Sequence, residues 1–171
     1  VNWQLINGEK KSGLTLHKME KKADTGVIIK QTELSIDLNQ TALGLYEQMV
    51  DISQPFLDDA FDRVLDSSFS GFKQDDSEAS TYGGRKPADG LIDWHSSSRR
   101  VHNLVRAVTY PYPGAFTFTD RKITVWKTRV LDEESRNDNP GQILEKNIVA
   151  CSMGKILILE AVDDSGKPYN F

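Results

Sequence analysis

The chain has 171 residues, 38% of them hydrophobic and 27% charged, with a formal net charge of -4 at pH 7; this is enough apolar material for one core or two small ones and excludes a disordered chain. One cysteine, Cys151, excludes an internal disulfide, and three scattered histidines offer no zinc-ligand spacing, so no metal is expected. No run approaches the roughly 18 apolar residues of a membrane span, and the opening lacks the charged-then-apolar order of a signal peptide, which makes a reduced, cytoplasmic setting the default.

The opening VNWQLINGE reads as a short helix interrupted at Gly8. Next, GLTLHKM alternates at Leu14 and Leu16, with Met19 one place out of phase. GVIIKQTELSI alternates Ile29, Gln31, Glu33 and Ser35 against Ile28, Lys30, Thr32, Leu34 and Ile36, so the two runs predict a β-hairpin. Between them KKADTG places Asp24 at a tip; Asp bonds its own backbone and Gly26 supplies positive φ, which explains a turn but not the choice of an acid. From Asn39 to about Asp66, Leu43, Tyr46, Met49, Val50, Phe56, Leu57, Phe61, Val64 and Leu65 recur near helical spacing and predict a long amphipathic helix that Pro55 can kink. DSSFSGFKQDDSEASTYGGRKPADG then collects Ser, Asp, Gly and Pro as a linker or surface loop.

A second unit follows. In SSSRRVHNLVRAV the serines can cap a helix whose Val101, Leu104, Val105 and Val108 share a face. After TYPYPGA come the runs FTFT, KITVWKTRVL, NIVACS and KILILEAV, separated by turn clusters, as in a small antiparallel barrel or sandwich. Trp94, Trp126 and Cys151 are expected in cores. Charge is uneven: residues 1–94 carry 10 basic and 16 acidic side chains, residues 95–171 carry 11 and 9.

The stretch NWQLINGEKKSGLTLHKMEKKADTGVIIKQ resembles the formyltransferases that use 10-formyltetrahydrofolate. GGRKPADGLIDW, VHNLVRAVTYPYPGAFTF and KITVW are similar to the same family further on, especially the sugar-nucleotide branch represented by UDP-4-amino-4-deoxy-L-arabinose formyltransferase. The resemblance implies an α/β fold: residues 1–72 as the C-terminal part of a Rossmann-like catalytic domain (hairpin plus long helix), residues 73–94 as a linker, and residues 95–171 as a small antiparallel OB-like barrel. It also implies that the family's Asn-x-His element lies upstream of Val1, so that this piece alone is expected to be inactive. His17, His95 and His102 are expected to be surface or packing histidines rather than its replacement.

On the same resemblance, Asp24 is the acid that sits beside the catalytic His, raising its pKa and orienting it, while Glu20, Lys21, Lys22, Ala23 and Asp24 form the loop that contacts the folate donor. Taken by themselves, the lysines are equally a solvated strand end. For the acceptor, Gly83, Gly84, Arg85 and Lys86 can approach phosphates and Tyr110 and Tyr112 can stack on a base; a flexible linker and a packing corner explain the same residues. The expected reaction is formyl transfer from 10-formyltetrahydrofolate to the amine of a nucleotide-linked 4-amino sugar, as in lipopolysaccharide precursor synthesis, with no membrane segment and homo-oligomerisation left open. Two alternatives stand beside it. One is methionyl-tRNA as acceptor, which would favour a strongly basic face, whereas the sequence pI is ≈ 5.4. The other is a nonenzymatic binding module using Arg99, Arg100, Arg106, Arg121, Lys122, Lys127 and Arg129, a set that a solvated surface also explains.

Overall fold

The computed structural model describes residues 1–66 and 68–171. Ser67, inside the expected linker, lies outside the described residues. The chain is mixed α/β with antiparallel sheets and divides into two compact units, one formed by Val1–Glu9, Asn39–Leu43 and Gly84–Phe171, the other by Lys10–Leu38 and Gly44–Gly83.

The second of these is built on the expected hairpin. Strand β1 (Lys11–His17) pairs antiparallel with β2 (Ile28–Ser35), Leu14 facing Thr32 and Lys11 facing Ser35, and the register shifts at its open end between Leu16 and His17. Gly13 is required by a close approach: a Cβ there would lie 2.2 Å from the Thr32 carbonyl oxygen. Helix α2 (Ala42–Leu65) carries Pro55 inside it and buries Leu45, Phe56 and Ala60. Within the unit, Lys30 lies over the Phe56 ring at 4.9 Å and pairs with Asp59. The apolar stripe read from the sequence is only partly buried: Tyr46, Val50, Leu57, Phe61, Val64 and Leu65 are exposed. A helical period creates a stripe, but burial needs an opposing surface, and among the described residues none covers this one.

In the other unit, α1 (Asn2–Asn7) ends where the sequence placed its break, at Gly8 in the left-handed region (φ 74). Helix α3 (Ser98–Val108) starts at Ser97, whose side chain accepts a hydrogen bond from the Arg100 amide. Its expected apolar residues Val101, Val105 and Val108 are buried, and so are His102, Asn103 and Arg106. Arg106 explains its own burial. It donates to Asn103 Oδ1 at 2.9 Å, to the Gln40 carbonyl at 3.1 Å and to the Leu5 carbonyl at 3.4 Å, so one guanidinium ties α3 to α1 and to the segment before α2. Burial, and secondarily the nearby charge of Arg99, pushes its pKa below the ordinary value.

Five strands complete this unit: β3 (Ala115–Phe118), β4 (Lys122–Arg136), β5 (Ile143–Glu145), β6 (Ile148–Ala150) and β7 (Met153–Asp163). They pair antiparallel in the order β3-β4-β7-β6-β5. Ile123, Val125, Ile156 and Ile158 fill the core with Val101 and Val105. Cys151 is fully buried as expected. Trp94 and Trp126 are only half-buried; the Trp94 indole keeps its N–H paired by donating to Thr117 Oγ1 at 3.0 Å.

Candidate active-site loop and a second cavity

The segment from Lys18 to Val27 is tied down by its backbone. Lys18 N donates to the Val27 carbonyl at 2.9 Å, Thr25 Oγ1 to the Lys22 carbonyl at 2.9 Å, and the Gln74 side-chain amide spans the turn, giving bonds to the Asp24 carbonyl at 2.9 Å and the Gly26 carbonyl at 2.7 Å. Gly26 does not supply the expected positive φ, which falls at Asp24 instead; it is dictated by a close approach, since a Cβ there would meet the Lys18 carbonyl oxygen at 1.6 Å. Asp24 adopts φ 60, the left-handed region that Asp enters more readily than most side chains. The result presents its carboxylate outward, with a relative exposure of 95%.

One side chain does approach it. His17, the last residue of β1, places Nε2 3.7 Å from Asp24 Oδ1. The other ring nitrogen, Nδ1, lies 2.9 Å from the Lys18 carbonyl, a bond that requires Nδ1 to carry a proton and so turns Nε2 towards the acid. The sequence reading missed this pairing. The signal was the seven-residue separation across a closed loop, which becomes meaningful only once the register at His17↔Ile28 is known.

Beside the loop runs an open groove of ≈ 700 Å³ lined by Glu20, Lys21, Lys22, Thr25, Val27, Ser70, Gly71 and Lys73. Its far wall is held by the reciprocal backbone pair of Ile28 and Phe72, both bonds 2.8 Å, and by Gly71 at φ 70, where a Cβ would strike Val27 at 2.4 Å. Three of the five residues expected to contact the donor therefore line one groove. Ala23 and Asp24 sit in the same loop without lining it. Three ammonium groups against one carboxylate suit a flat, anionic ligand.

The residues expected to hold the acceptor are not gathered in the same way. Arg85 lies over the Trp3 ring at 4.9 Å and donates Nη2 to the Asp89 carbonyl at 2.7 Å. Tyr110 is 72% exposed and Tyr112 38%, on the turn that follows α3. None of the three lines the groove or the second cavity, which has a volume of ≈ 450 Å³ and lies where α3 meets β4 and β7. Trp126, Lys127, Thr128, Arg129, His102, Arg106 and Glu160 contribute to that cavity, and His102 Nδ1 lies 3.0 Å from Thr128 Oγ1.

Of the basic residues expected as one nucleic-acid face, Arg106, Lys127 and Arg129 line the second cavity, and others are committed to neighbours. Arg99 pairs with Glu133 at 2.5 Å and Arg121 with Asp120 at 2.7 Å, Arg106 is buried, and Lys122 lies over Phe116. Among the described residues no group of His, Cys, Asp and Glu is arranged to hold a metal, and no helix is long and apolar enough to cross a membrane.

Comparison with known proteins bears on this loop and this sheet together. Residues 85–171 match the model of the formyl transferase C-terminal domain, and residues 1–60 match the formyl transferase model. The chain belongs to the formyl transferase family. Among solved structures, this formyl transferase chain is similar to WlaRD, a sugar 3N-formyl transferase in the presence of dTDP and 5-N-formyl-THF, with 26% identity, a TM-score of 0.70, and coverage of 91% of this chain and 57% of that one. It is similar in fold to HypX from Aquifex aeolicus in complex with tetrahydrofolic acid, with 16% identity, a TM-score of 0.67, and coverage of 99% and 30%. Methionyl-tRNA formyltransferase from Clostridium thermocellum also shares the fold, with 21% identity, a TM-score of 0.60, and coverage of 75% and 55%. The chain spans between about 30% and 57% of the length of these relatives.

Proposed function

We propose that this protein transfers a formyl group from 10-formyltetrahydrofolate to the amine of a nucleotide-linked amino sugar. The observation that carries the reading is Asp24: an exposed carboxylate fixed on a clamped left-handed turn, beside His17, at a lysine-rich groove, in a chain of this family. A turn alone requires no acid. A carboxylate carried on a turn whose backbone is clamped can orient an imidazole beside it while an amine loses its proton.

Within this scheme Lys21, Lys22 and Lys73 hold the anionic part of the donor, with Glu20 and the Ala23 backbone completing the loop. The bound 10-formyltetrahydrofolate supplies an electrophilic formyl carbon. Asp24 and His17 would accept the proton that the acceptor amine loses as its new C–N bond forms, and pass it to N10 of the folate as the bond between N10 and the formyl carbon breaks and tetrahydrofolate leaves. Arg85, Tyr110 and Tyr112, expected to hold the acceptor, line neither cavity, so the scheme gives them no contact with the nucleotide.

A nucleotide sugar is favoured over methionyl-tRNA because Arg99 and Arg121 are each paired with an acid, Arg106 is buried, and the sequence pI is ≈ 5.4. Transfer RNA would span many phosphates and lose on the order of 1,000-fold in affinity between about 50 and 200 mM salt if roughly 6 or more contacts form. A nucleotide sugar, held by a few charges, would lose far less. The deciding assay gives the full-length protein 10-formyltetrahydrofolate with UDP- and dTDP-linked amino sugars, including 4-amino sugars, and with charged initiator tRNA, at both salt levels. Formylation of a nucleotide sugar that falls about 100-fold in Asp24→Asn is the expected result. Salt-sensitive formylation of the tRNA with no sugar activity would replace the acceptor, and full activity of Asp24→Asn would remove the acid from the mechanism.

A further inference from the structure

We propose that the ≈ 450 Å³ cavity between α3, β4 and β7 is a nucleotide-binding site, with the base stacked on Trp126 and the phosphates held by Lys127 and Arg129. The cavity lies at a paired irregularity in the sheet. Val125 faces Ala161, Lys127 faces Glu160 and Thr128 faces Ile158, so Trp126 is an extra residue on β4 and Leu159 an extra residue on β7. Both extra residues line the cavity. Bulges of this kind re-aim side chains next to sites, and here the two extra residues are turned to one cavity.

Charge selects the class of ligand. Arg106, Lys127 and Arg129 reach the cavity against a single carboxylate, Glu160. Lys127 and Arg129 are exposed and, among the described residues, make no ion pair, whereas Arg99 and Arg121 on the same unit are each committed to a neighbouring acid. Two cations left available beside a half-buried indole offer what a phosphorylated aromatic ring needs: charge at one end and a flat apolar face at the other. The volume falls within the range of about 300 to 1,000 Å³ usual for small-molecule sites and is too small for a folded macromolecular partner. Inorganic phosphate shares the charge but not the ring, and the 3′ end of an RNA shares both. The mononucleotide is favoured because the cations number few and sit at one cavity.

The geometry of the site stands independently, while the choice of UDP and dTDP as probes rests on the acceptor proposed above. Binding of UDP, dTDP, UMP, inorganic pyrophosphate and the trinucleotide CCA to the full-length protein would be measured by calorimetry, for the parent and for Lys127→Gln/Arg129→Gln, Trp126→Leu and Arg121→Gln. The proposal expects UDP or dTDP to bind at least 10-fold more tightly than pyrophosphate. The double variant should lose 10-fold or more, Trp126→Leu should remove the preference over pyrophosphate, and Arg121→Gln should change nothing. Since Lys127 and Arg129 are exposed strand residues, their double variant keeps the fold, which circular dichroism and the unfolding midpoint verify. UDP and dTDP binding that is undetectable at millimolar concentration or unchanged in the double variant would overturn the site, as would binding of CCA alone. Formyl transfer measured in parallel separates the two readings. Nucleotide binding lost in the double variant without any sugar formylation leaves the site and removes the acceptor assignment; sugar formylation with KM unchanged in the double variant does the reverse.

Discussion

Asp24 and Gly26 occupy one turn and answer to opposite constraints. The left-handed backbone at Asp24 costs a residue with a Cβ about 1 kcal/mol or more, less for Asp than for most. Asp24→Gly is therefore expected to raise stability by up to about 1 kcal/mol in urea unfolding, while formyl transfer by the full-length protein falls about 100-fold. A drop in stability instead would show that the contact with His17 outweighs the backbone strain. Gly26 has no such latitude, because its absent Cβ is the space occupied by the Lys18 carbonyl. Gly26→Ala should open the Lys18 to Val27 bond and cost more than about 2 kcal/mol, read from the same unfolding curves; a loss under about 0.5 kcal/mol would mean that the loop yields. On the proposed role of Asp24, stability and function would pull apart at this position, and at Gly26 they would not.

Among the elements, α3 carries its start signal in the chain and α2 carries a face whose use the chain cannot state. Ser97 caps α3 by accepting from the Arg100 amide, so Ser97→Ala should cost about 1 kcal/mol, detectable as a lowered urea midpoint, and Ser97→Asp should largely restore it. On α2, Leu45 is fully buried and Phe61 is 59% exposed, although both belong to the same helical period. In this 171-residue chain Leu45→Ala is expected to cost about 2–5 kcal/mol, against less than about 1 kcal/mol for Phe61→Ser. Equal losses would show that the outer stripe is packed in solution. Strand β5 makes the complementary point. It is three residues long with all three exposed, so it has no alternation to read, and it exists through pairing with β6.

For the whole molecule, Cys151 ties chemistry to global stability. Burial pushes its thiol up to about 12 from an ordinary 9.0. Below about pH 9 the thiol is protonated in both the folded and unfolded chain and its contribution to stability is fully present. Between 9 and 12 the unfolded chain releases the proton while the folded chain keeps it, so stability falls as pH rises through that window. The alkaline decline should be shallower in Cys151→Ala, and thiol reagents at neutral pH should label Cys151 only as fast as its unit opens. Labelling as fast as that of a free thiol would place the residue at the surface. What the sequence determined by itself is whatever follows from local period and turn chemistry: the hairpin with its acid-bearing turn, the helices with the stop at Gly8 and the cap at Ser97, the apolar strand runs, and, through ordered motifs, the family. These are short-range rules, satisfied within a few residues. Tertiary structure alone decided the approach of His17 to Asp24, the burial of His102 and Arg106 on a helix with only a narrow apolar stripe, the exposure of the α2 stripe, and the double bulge at the cavity that Trp126 lines. Each of these depends on register or on a surface supplied by residues distant in the chain, and neither is encoded in the spacing of the residues that receive it.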